Sequence, residues 1–164
     1  MFTLRCTARL LKRLKVGPEA GSAPPSTLLG DWYAHLLFLR QRHLVLCVSE
    51  RTLLPALVPA RDLKMLLPRI ERSVCDVLLA IGVSEEAVQE EKSAMAAAVI
   101  GQTASRQVLG SMNDFVKLVE PHLQDRGSLL DLALQLADTP CGPLQMDSPR
   151  QATLKLFSMK KDEF

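Results

Sequence analysis

The sequence predicts a single α+β domain, with a small antiparallel sheet that contains a central hairpin and packs against three to four helices. Two patterns carry this reading. His35 to Leu39 and Leu44 to Val48 are short apolar runs joined by the polar residues Arg40, Gln41, Arg42 and His43, as in a hairpin. Residues 63–81 and 104–120 instead repeat their apolar positions at helical spacing. Length and composition agree. A chain of 164 residues is one domain's worth and buries roughly two thirds of its unfolded surface. Its 48% hydrophobic and 23% charged residues are ordinary globular proportions.

The elements follow in order. Phe2 to Cys6 alternates as a short strand does, and Thr7 is placed to cap a helix whose apolar stripe is Leu10, Leu11 and Leu14. Gly17 and Pro18 end that helix, and residues 17–27 form a loop rich in Pro, Gly and Ser. After the hairpin, Thr52 to Val58 forms a third strand or a short helix. Pro55 bars it from a regular central strand. Asp62 caps a long helix carrying Leu66, Ile70, Val74, Val77, Leu78 and Ile81, with Pro68 as a kink or break, and Gly82 closes it. Ser84 to Gln89 starts a short helix with acids in its first turn. Ala94 to Ile100 is read as a strand, residues 104–120 as a helix, and Gly127-Ser128 as the start of another that runs to Leu136. The domain spans residues 1–140. Residues 141–164 are a tail, loose until a short strand at Ala152 to Met159.

Composition excludes several classes. The net charge of +2 gives no global pull toward nucleic acid or a membrane. No apolar stretch is long enough to span a bilayer. The basic N-terminal run lacks the apolar segment of a signal peptide, which leaves a mitochondrial presequence as a minor alternative. Cys6, Cys47, Cys75 and Cys141 are widely spaced and form no CxxC pair, so they read as reduced core thiols rather than disulfides or zinc ligands. His35, His43 and His122 stand alone, with no second ligand at metal spacing. The chain has no GxSxG elbow, Walker loop or GxGxxG. Trp32 and Tyr33, the one aromatic pair, read as core at the start of the hairpin.

Residues 102–119 carry the most information. On a helix, Val108, Met112, Phe115 and Val119 fall on one stripe, the core face. Arg106, Gly110, Asn113 and Lys117 fall on another, flanked by Thr103, Ser111 and Asp114. Gly110 costs about 1 kcal/mol in a helix interior, and close approach by a backbone or a ligand is the usual reason to retain it. Asn113 is the only asparagine in the chain. In the plainer reading Gly110 only lets a neighbouring strand pack closely, Arg106 only pairs with Asp114 or another acid, and Asn113 only caps a loop.

The stretch Thr103-Ala104-Ser105-Arg106-Gln107-Val108-Leu109-Gly110-Ser111-Met112-Asn113-Asp114-Phe115 resembles the signature of an uncharacterised family of small bacterial proteins. That family also has an N-terminal strand and basic helix similar to Leu4 to Leu14, an entry to a hairpin similar to Gly30-Asp31-Trp32-Tyr33, and a strand ending similar to Leu57-Val58-Pro59. The resemblance covers most of residues 2–120 and leaves out the C-terminal 40. His35 stands where the family carries an amide residue. The resemblance implies a shared fold and a bacterial context, and no activity.

The expectation is therefore a non-catalytic, cytoplasmic interaction protein without cofactor, metal or membrane partner. It binds another protein, or itself, through the Arg106–Asn113 face or the hairpin edge. By association only, small bacterial proteins of this kind act as antitoxins, immunity factors or mobile-element inhibitors. The alternative is a nucleic-acid- or nucleotide-directed binder or enzyme that uses Arg5, Arg9, Lys12 and Arg13 as phosphate contacts, with Arg106 and Lys117 beside them. Low net charge and 4% aromatics favour the first.

Overall fold

The alternation of the first residues and the apolar runs of the hairpin build one sheet. The structure, a computed structural model, describes residues 1–19, 23–39, 42–121 and 127–162. Strand β1 (Phe2–Cys6) leads into helix α1 (Ala8–Leu14), and β2 (Trp32–Leu39), β3 (Arg42–Ser49) and β4 (Pro55–Pro59) follow as a meander. Helices α2 (Leu66–Ile81) and α3 (Glu85–Ala94) precede β5 (Ala98–Gln102), and α4 (Arg106–Val119), α5 (Leu129–Ala137) and α6 (Pro149–Asp162) complete the chain. Arg40, Gln41 and His122 lie outside the described residues, as do residues 20–22 of the first loop.

The five strands are ordered β4-β3-β2-β1-β5. The expected hairpin is present, with Phe38 opposite His43 and His35 opposite Leu46. The sheet as a whole is mixed rather than antiparallel, because β1 runs parallel to both β2 and β5. α1 supplies the reason: it carries the chain back along the sheet before β2 begins, and a parallel neighbour needs such a crossover. β4 is an edge strand, which reconciles Pro55 and Pro59 with a strand.

A core lies on each face of the sheet. Leu4, Trp32, Leu36 and Cys47 point to one side, where α1, α2 and α3 pack through Leu10, Ile70, Val74, Leu78 and Val88. Tyr33, Leu37, Leu46 and Leu57 point to the other, under Val108, Met112, Phe115 and Val119 of α4. α5 lies along β4 and contributes to both, with Ala133 and Ala137 in the first core and Leu132 and Leu136 in the second. It thereby covers the β4 edge.

Several boundaries differ from expectation. Pro68 does not kink a helix: it sits in the first turn of α2, where backbone N–H groups have no intrahelical acceptor. Asp62 has φ 50°, makes no side-chain cap, and precedes a 3-10 turn, Leu63–Met65. α3 runs on to Ala94, so β5 begins only at Ala98. Alanine favours helix, and Ala94 belongs to that helix rather than to the strand. Gly101 of β5 is required by crowding, since a Cβ there would lie 2.7 Å from the Thr3 methyl. The largest correction is the tail. Residues 149–162 form α6, not a loose segment with a short strand. Ser148 Oγ accepts from the Gln151 amide, which caps a helix that opens with Pro149 at its first position.

Candidate functional site

α4 forms as the spacing predicts. Ser105 Oγ caps it by accepting from the Val108 amide at 3.2 Å. The Ser105 amide donates to the Tyr33 hydroxyl at 3.0 Å, which pins the start of the helix to β2. Val108, Met112, Phe115 and Val119 are buried, so the opposite side of the helix faces solvent.

That side carries the polar stripe. Arg106, Gly110, Asn113 and Lys117 are all exposed, with Asp114 beside them and Leu118 adding an exposed apolar side chain. A Cβ built on Gly110 meets nothing within 4 Å. Among the described residues no neighbouring strand packs there, and this removes the plainer account of the glycine. Among the described residues, Arg106 forms no ion pair with Asp114 or another acid, and Asn113 caps no loop. Thr103 is half-buried in the link from β5. Ser111 is turned inward and buried, so it leaves the accessible set.

The basic N-terminal residues do not form one set. Arg5 Nε lies 3.3 Å from Asp31 Oδ2, and its Nη1 donates to the Gln102 carbonyl at 3.0 Å. Arg5 thus joins β1 to β5 and is already satisfied. Arg9, Lys12 and Arg13 are exposed on α1, with the Arg9 guanidinium 5.1 Å from the centre of the Phe38 ring. Thr7 makes no side-chain cap; its hydroxyl lies 3.1 Å from His35 Nδ1. Burial and the nearby Arg9 charge hold the His35 pKa below its ordinary value.

The cysteines are all free thiols. Burial pushes the Cys6 thiol up to about 12 and raises those of Cys47, Cys75 and Cys141, the reverse of what a nucleophile needs. Among the described residues no group of three or more His, Cys, Asp or Glu could hold a metal ion. A small cleft is lined by Phe2, Leu67, Pro68, Met95 and Ala98, with Glu71 as its charged group, and offers no acid–base pair.

Two buried acids and a hydroxyl chain escape sequence reasoning. Glu91 is 4% exposed and accepts from the Leu28 and Leu29 amides at 2.7 and 3.0 Å. Its signal was its place between Val88 and Met95, at spacings of three and four on the buried stripe. Burial raises its pKa, and the two amides, Lys160 and Arg51 oppose that rise. Asp31 accepts from the Thr3 amide at 2.9 Å and pairs with Arg5. Thr153 donates to Thr52 Oγ1 at 2.8 Å, which in turn lies 3.0 Å from Ser49 Oγ, and this chain fastens α6 to the turn between β3 and β4.

The architecture is thus that of a small α+β domain whose two cores are closed by its own helices and whose α4 leaves one polar face open. The model of a family described as a domain of unknown function (DUF6933) matches residues 3–152, and the chain belongs to that family. The match runs past the residue-120 limit of the resemblance and takes in α5 and the start of α6. No curated protein and no solved structure matches the chain.

Proposed function

We propose that this chain is a non-catalytic interaction module that docks a protein partner on the outer face of α4. The observation that carries the reading is Gly110, an exposed glycine in mid-helix whose missing side chain would meet nothing within 4 Å beyond its own helix among the described residues. A partner backbone brought close to α4 accounts for it, and Arg106, Asn113 and Lys117 supply a fixed cation, an amide and a second cation along the same line. Leu118 gives the face an apolar edge. Four free thiols, three of them buried, suit a reducing, cytoplasmic setting. Antitoxin, immunity factor and mobile-element inhibitor are bacterial roles open to such a module.

The test is capture from a native bacterial lysate, with mass readout for both protein and nucleic acid. Wild type should retain a protein that Arg106→Ala and Asn113→Ala lose, while both variants melt as the wild type does, since exposed substitutions change stability by within about 0.5 kcal/mol. Equal retention by wild type and both variants would remove the α4 face from the reading.

A further inference from the structure

Charge in this chain is divided by region. Residues 1–16 and 32–49 together carry seven Lys and Arg and no Asp or Glu, while the whole chain carries 20 and 18, so the remainder is net acidic. The fold joins the two basic segments. β2 and β3 continue beyond the end of β1, whose Cys6 pairs with Ala34, and α1 begins at that same end. Arg9 of α1 reaches Phe38 on the projecting part of β2.

Phe38 is the exposed aromatic at this junction. It is 47% exposed, although strand residues on the same side, such as Trp32 and Leu36, are fully buried. The Arg9 guanidinium lies 5.1 Å from its ring centre, and the His43 ring meets it edge-on at 4.9 Å, with interplanar angle 84°. The ring is thus held in place while much of it remains open. Lys12 and Arg13 of α1, one turn on from Arg9, are exposed. An aromatic surface held among cations, with no acid in either segment, matches a base next to its phosphates: the base stacks and the cations track the backbone.

We propose that the surface formed by α1 and Phe38 of β2 binds single-stranded nucleic acid, with Phe38 as the stacking platform and Arg9, Lys12 and Arg13 as phosphate contacts. The single strand is favoured over the duplex because a duplex hides the base faces that Phe38 would meet. It is favoured over an anionic membrane because the exposed aromatic is braced by Arg9 and His43 rather than set in an apolar insertion surface. This surface is separate from the outer face of α4, so either site can fail without the other.

The experiment titrates the full chain into a fluorescein-labelled oligothymidine of about 15 nucleotides, matching site sizes of such proteins, and into its RNA counterpart. Binding should weaken with salt at a log–log slope of roughly −0.7 per phosphate contacted. Phe38→Ala should lower affinity roughly tenfold or more, Phe38→Trp should retain it, and Arg9→Gln with Arg13→Gln should flatten the salt slope. Gln151→Ala, on the exposed side of α6, should leave oligonucleotide binding at the wild-type level. Three results would each overturn the proposal: no oligonucleotide binding at low salt, Phe38→Ala binding as well as wild type, or binding to phosphatidylglycerol vesicles with none to either oligonucleotide.

Discussion

Two sets of polar residues behave in opposite ways. Glu91 and Asp31 are buried, and each accepts backbone amides from a distant part of the chain. Arg106, Asn113 and Lys117 are exposed on α4, beside a glycine that nothing outside its own helix approaches among the described residues. In the first set the polar group completes the fold, because a buried amide left unpaired costs about 1–3 kcal/mol. In the second, folding is complete without it. Polar groups of the second kind are available for another molecule.

Removing a member of the first set should have the largest effect. Glu91→Ala leaves the Leu28 and Leu29 amides without their acceptor and should lower stability by about 1–3 kcal/mol, read by urea denaturation. A loss within about 0.5 kcal/mol, the surface range, would erase the contrast between the sets. Next comes Gly110→Ala, expected to stabilise the isolated chain by up to about 1 kcal/mol because α4 is open at that point. The same variant should capture its partner less well than wild type. A lowered melting temperature would mean that something does pack against Gly110, and unchanged capture would mean that no partner does.

The smallest expected effect is at His35, which belongs to neither extreme, being half-buried beside Thr7 and Arg9. Its folded pKa lies below its unfolded value, so its contribution is complete above the unfolded pKa of about 6.5 and is lost as pH falls toward the folded pKa. Replacing it by an amide, His35→Asn, should remove that slope. Melting curves from neutral pH down to the acid side of the unfolded pKa would show wild type losing ground to the variant. Parallel curves would contradict the assignment.

The helix α4 was legible because its buried positions recur at spacings of four, three and four, a pattern dictated by local geometry alone. The hairpin was legible for the same reason, at period two. What lay hidden depends on distant partners. Nothing near Phe2 announces that it will pair with Ala98, so the parallel half of the sheet could not be read. α6 was misread because its sequence looks like a polar tail, and it is fastened by Thr153 to a hydroxyl on a turn far away in sequence. Within the candidate surface, Arg106, Gly110, Asn113 and Lys117 fell on one face as the spacing implied, while Ser111 turned inward. The four-cation set failed at Arg5, whose partner Asp31 lies outside any local pattern.

The position of β1 has a consequence for how the molecule assembles. The meander β2–β3–β4 joins neighbours in sequence, whereas β1 must wait for residues 98–102 to close the sheet on its other side. Closing a long loop costs entropy before any contact rewards it. On a ribosome, β1 emerges before β2 and β5 and keeps one bare flank until residues 98–102 are made, exposing a row of amides and carbonyls to any passing chain. Pulse-labelled hydrogen exchange during refolding should protect the amides of Val45 and Cys47 before that of Gly101. Simultaneous protection would mean that the sheet closes in a single step.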